Sequence, residues 1–202
     1  MAVMSTLTDD FTTKNTAKWT FASGASVSGG QLVMQCLSGF SSEANSVDYY
    51  DFTGSYALVE VVSPQGAGVS TQTYFFCRQI PDVNSVRWLI ANTTLLAQRR
   101  VASTNTEVFA TPFDATNHRW LRIREDAGTV YWDTSADGFT WTNRATWVST
   151  FTLTALKVVL GSGYWGTETS PASAVVDNFN LIPAPVVEDP PVHLRRVAPA
   201  RR

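Results

Sequence analysis

Apolar and polar residues alternate along most of this chain in short runs, and Gly, Asn, Asp, Ser or Pro bounds nearly every run. "QLVMQCL", "SYALVEVVS", "QTYFFCRQI", "SVRWLIAN", "HRWLRIRE", "TVYWDT", "FTWT" and "LKVVLGSG" are rich in β-branched and aromatic residues, which is the composition of strands. In "WLRIRE", Leu121 and Ile123 point to one side and Arg122 and Arg124 to the other. That spacing gives one buried and one wet face of an antiparallel sheet. No stretch of a dozen residues carries helical periodicity with caps. Roughly a dozen strands, with turn signals about every 8–12 residues, predict an all-β, two-sheet antiparallel sandwich without a long helix.

The pattern changes at Pro183. The segment "PAPVVEDPPVHLRRVAPARR" holds five prolines and four arginines, and proline removes backbone donors and favours extended geometry. The expected division is a sandwich over 1–182 and an extended Pro/Arg-rich tail over 183–202. Four arginines against Glu188 and Asp189 leave the tail at +2. The body, with 11 basic and 15 acidic residues, stands at −4. So little apolar surface cannot order itself. The tail is expected to lie along a partner, with Val187 and Leu194 in shallow pockets and Arg195, Arg196, Arg201 and Arg202 on carboxylates.

The net charge of −2 over 202 residues gives no global pull toward nucleic acid or an acidic membrane. No run of about 18 apolar residues would span a bilayer. "MAVMSTLTDDF" lacks the basic and apolar regions of a secretory signal, so synthesis in a cytoplasm is expected. Cys36 and Cys77 sit in apolar strand-like runs and read as buried free thiols in a reducing compartment.

"TVYWDTSADGFTWT" places aromatic residues around a turn that Ser135, Asp137 and Gly138 are suited to make. Two readings follow. As a clip, the hairpin buries Trp132 and Trp141 and Asp137 bonds amides of its own turn. As a sugar platform, Tyr131, Trp132 and Trp141, with Trp165, present flat exposed rings.

"SADGFTW" resembles the turn of concanavalin A-like (laminin-G-like) jelly-roll domains. The opening "DDFTTKNTAKW", the pair "HRWLRIRE" and "GTVYW", and the closing "VVDNFNLIP" resemble the same pattern in the same order. The resemblance covers about residues 7–182 and implies a jelly roll whose first and last strands, with Phe11 and Phe179, are neighbours. It would also bring Asp9, Asp10 and Asp177 together as a weak Ca2+ candidate, although capping of turns or bonding of backbone groups is the favoured role of Asp10 and Asp177; no other cofactor is expected. Glucanases of that superfamily carry alternating carboxylates on one strand, as a scissile glycosidic bond requires. No such run exists here: Glu60 stands alone among apolar residues, and Glu125 and Asp126 are adjacent. No catalytic residue is therefore expected.

A single jelly roll with a short tail also resembles bacteriophage virion proteins. The expectation is a non-catalytic minor tail, fibre or capsid-decoration subunit at the virion surface, contacting other capsid or tail subunits and forming homo-oligomers. The alternative is a lectin-like carbohydrate-binding module, and the two overlap if the particle grips a host-surface glycan.

Overall fold

Alternation along the chain resolves into two stacked sheets. The computed structural model describes residues 1–39, 41–65, 70–166, 168 and 172–182. Its strands are β1 (Ala2–Val3), β2 (Trp19–Phe21), β3 (Ala25–Ser28), β4 (Gln31–Met34), β5 (Ser42–Ser46), β6 (Tyr50–Asp51), β7 (Tyr56–Ser63), β8 (Thr71–Arg78), β9 (Ser85–Ala91), β10 (Thr94–Val101), β11 (Thr104–Pro112), β12 (Trp120–Asp126), β13 (Thr129–Ser135), β14 (Thr142–Val148), β15 (Lys157–Tyr164) and β16 (Ala174–Asp177). One 3-10 turn, Met4–Thr6, is the one helical element among the described residues. None of their helices is long and apolar enough to cross a membrane.

The first sheet runs β11-β10-β9-β8-β15-β5-β2 and the second β14-β13-β12-β7-β16-β4-β3, while β1 and β6 pair apart from both. Pairing within each seven-stranded sheet is antiparallel. The sandwich fold expected from the alternation is the fold observed.

Phe11, Trp19, Phe52, Trp88, Trp132 and Phe179 are fully buried between the sheets. Two of these indoles also cross the core. Trp88 Nε1 on β9 donates to the Arg122 carbonyl on β12 (2.9 Å), and Trp132 Nε1 on β13 donates to the Arg87 carbonyl on β9 (3.0 Å). Each satisfies a donor that burial would otherwise make costly.

The opening and closing segments meet as expected. Asp9 and Phe179 exchange two backbone hydrogen bonds, 2.9 and 2.8 Å, and Phe11 and Phe179 both pack on Trp19. Phe11 takes a positive φ of 49°. Asp9 holds it there by accepting its N–H (2.8 Å), while the other carboxylate oxygen accepts Trp19 Nε1 (3.0 Å). Cys36 and Cys77 are buried and free, and burial pushes both thiols up. The expected tail, with Val187, Leu194, Arg195, Arg196, Arg201 and Arg202, lies outside the described residues.

Candidate functional site

A β-sheet buries one face; here the first sheet also fills the other. Phe75, Cys77, Trp88, Ile90 and Leu160 belong to the core between the sheets, whereas Tyr74, Leu89 and Val159 form a separate buried cluster with Phe76 and Leu96 packed on it. Strand alternation puts this second cluster on the outer face.

Strand register orders that face into rows. The first row runs Glu43, Gly161, Tyr74, Leu89, Leu96. The next runs Asn45, Val159, Phe76, Arg87, Gln98. The third runs Lys157, Arg78, Ser85, Arg100. Gly161 makes room for its neighbour, because a Cβ there would run into the Tyr74 ring. Tyr74 thus lies over the strand and donates its hydroxyl to Glu43 Oε1 (2.9 Å). Burial pushes the Tyr74 phenol far up, and the Glu43 charge adds to the rise. Arg78 reaches Glu43 Oε2 (3.5 Å) and Asn45 Oδ1 (3.0 Å). Phe76 is held between Tyr74, stacked at 4.5 Å, and the Arg87 guanidinium at 4.3 Å. Arg87 is anchored by the Ser85 hydroxyl (2.6 Å) and by Asp82 (3.3 Å). Trp165, directly after β15, is 48% exposed.

The second sheet's outer face is built from similar parts but closes on itself. Arg122 and Arg124 both donate to Asp133 Oδ2 (3.0 and 2.9 Å), and Asn143 donates to Oδ1 (2.9 Å). The Arg122 guanidinium lies over Trp141 at 4.1 Å and that of Arg124 over Tyr131 at 3.7 Å. Two of the sugar-platform candidates, Tyr131 and Trp141, therefore carry an arginine on one face. Trp132 is fully buried and cannot stack on a sugar. Trp165, the fourth candidate, stands apart from these three on the first sheet.

The hairpin is a clip, with one correction. Asp137 accepts the N–H groups of Phe139 (2.8 Å) and Thr140 (2.7 Å), and these bonds hold its carboxyl well below the usual range. "FTWT" is not a strand, however: β13 ends at Ser135 and β14 begins at Thr142. Register shifts at Trp132/Asp133. Alternation does not carry around the turn, so Trp141 is only half-buried, on the outer side. Beside the turn is an open polar pocket of about 680 Å3, lined by Asp114, His118, Thr134, Asp137 and Arg144 among others. Burial and then Arg144 lower the His118 pKa, and His118 Nδ1 accepts the Asp114 N–H (3.0 Å).

The metal candidates are not assembled. Asp9 is spent on Phe11 and Trp19, Asp10 accepts from Thr12 (3.1 Å), and Asp177 accepts the Asn178 N–H (2.7 Å). Among the described residues no three His, Cys, Asp or Glu side chains gather as a metal would need. Asp177 instead faces Glu60 in register. Its carboxyl is raised, mainly by burial, while Glu60 is bonded to Arg119 and to Asn178 (2.7 Å). Glu60 is alone along its strand but not across the sheet.

No family model matches the chain, and no curated protein matches it. Solved structures do. The fold is similar to a β-glucanase from Bacillus licheniformis, with a TM-score of 0.67 at 14% identity, covering 85% of this chain and 95% of that one. It is similar to a β-1,3-1,4-glucanase (lichenase) from a mouse hindgut metagenome, with a TM-score of 0.65 at 11% identity over 85% and 96%. It is also similar to β-agarase A from Zobellia galactanivorans, with a TM-score of 0.57 at 11% identity over 85% and 88%.

These likenesses establish the concanavalin A-like jelly roll. They also correct two expectations, the non-catalytic virion protein and the chain that is not an enzyme. The three structures named, which share this shape over nearly their full length, are two β-glucanases and a β-agarase. Across the second sheet, Glu60 and Asp177 are partners in strand register.

Proposed function

We propose that this chain is a carbohydrate-active domain that holds a polysaccharide along the outer face of its first sheet. The observation that carries this is the network of Glu43, Tyr74, Arg78 and Asn45, ordered over Gly161 on the side away from the core. Sugar sites combine a few fixed polar groups with aromatic and apolar lining, and this face has both. From Lys157 to Trp165 it extends about 27 Å along the strand at the usual rise, which accommodates several sugar rings. Trp165 stands at one end as an exposed ring for stacking.

The test is native electrophoresis through gels containing β-1,3-1,4-glucan, agarose, alginate or κ-carrageenan, with release of reducing ends measured on each. At least one polysaccharide should retard the protein, and Trp165→Ala should weaken that retardation while leaving the melting temperature unchanged. Released reducing ends abolished by Glu43→Gln would place the chemistry on the first face; loss through Asp177→Asn would place it on the second. A folded protein that none of the four retards overturns the reading.

A further inference from the structure

The third row on the first sheet's outer face is unusual for its charge. Lys157, Arg78, Ser85 and Arg100 stand side by side in register, and Arg87 lies in the row above. Against these four cations the face offers Glu43, bound to Arg78, and Asp82, bound to Arg87. Glu107 lies two strands beyond Arg87, across Gln98, on the exposed edge strand. Lys157 is turned to the carbonyls of Ser46 (3.1 Å) and Val47 (2.9 Å). Among the described residues no carboxylate pairs with Arg100, and the Nε atoms of Arg78 and Arg100 have no partner. Arg87 is pushed down to about 10 by burial, with Arg100 and Arg78 adding to the fall and Asp82 opposing it. Three guanidinium groups are thus close enough to feel one another in a chain whose net charge is −2.

We propose that the polysaccharide held on this face is anionic, with its sulfate or carboxylate groups seated by Arg78 and Arg100. The inference rests on the preceding assignment of this face to a glycan. A planar guanidinium donates two parallel hydrogen bonds to such groups, and a bound anion would relieve the crowding of like charge. Tyr74 and Phe76, packed beneath Arg87, fix the position of the cationic row.

The experiment compares retardation of the full chain by κ-carrageenan (sulfate), alginate (carboxylate) and agarose (neutral), at low and at 0.5 M salt, where screening is strong. A charged polymer should retard the protein at least about tenfold more than agarose, the worth of a charge-assisted hydrogen bond, and salt should remove the difference. Which polymer prevails identifies the anion. Arg100→Gln should remove most of the preference, and Lys14→Gln, exposed over Phe21 on the edge strand β2 and outside the cationic row, should leave it intact. Equal retardation by agarose and the charged polymers overturns this inference while leaving the glycan assignment standing. Equal loss from Lys14→Gln also overturns it, since attraction would then be general. Failure of all three polymers and of β-glucan overturns both.

Discussion

The two outer faces of this sandwich use the same parts and do different things with them. Each sets arginines over aromatic rings and ties them to a carboxylate. On the second sheet Asp133 collects Arg122, Arg124 and Asn143, and both arginines cover rings. That network is complete. On the first sheet Arg78 and Arg87 have acidic partners, and among the described residues Arg100 has none. Equal inventories of residue types therefore do not mark equal sites. What separates a brace from a binding face is whether its charges and donors are already matched.

The contrast is open to attack in order of expected effect. Trp132→Ala removes a fully buried indole and its inter-sheet hydrogen bond, and should cost about 3–5 kcal/mol in denaturant melts. Asp133→Ala should cost about 3 kcal/mol, because two guanidinium groups lose a buried acceptor; polysaccharide retardation of the surviving folded fraction should not change. Gly161→Ala reverses that split. It should cost about 1–3 kcal/mol through overpacking against Tyr74 and should abolish retardation. Trp141→Ala should cost only about 1 kcal/mol, the worth of a partly exposed cation–π contact.

The smallest effect is in pH. His118 has a lowered pKa in the fold, so the unfolded chain takes up its proton first as pH falls. Stability should begin to decline below about pH 6.5, the ordinary histidine value. A further decline should follow below about pH 4, where Asp10, Asp114 and Asp137, all held low by turn hydrogen bonds, take up protons more readily in the unfolded chain. The first decline should be absent in His118→Gln.

Much of the architecture was legible because alternation is a local signal. "WLRIRE" separates Leu121 and Ile123 from Arg122 and Arg124, and both arginines are indeed on the outer face. The Asp9–Phe179 pairing followed from matched end motifs. The binding face was not legible. In "TYFFCRQ" and "SVRWLIAN" both sides of the strand are apolar in the middle, so Tyr74 and Leu89 look no different from Phe75 and Trp88. Arg78, Ser85 and Arg100 become neighbours only through strand register, which no single run contains. Trp141 was misplaced for a related reason: it is the last residue of a six-residue connection, and a register shift follows Trp132.

The crossed indoles give the molecule two built-in sensors. The carbonyls that Trp88 and Trp132 grip belong to Arg122 and Arg87, one arginine from each outer face. Each indole N–H resonance thus reports on the backbone beneath a face that it never touches. When a ligand settles beside Arg87, the Trp132 signal should move most and the Trp88 signal less, and both protons, sealed in the core, should exchange with solvent among the slowest in the protein.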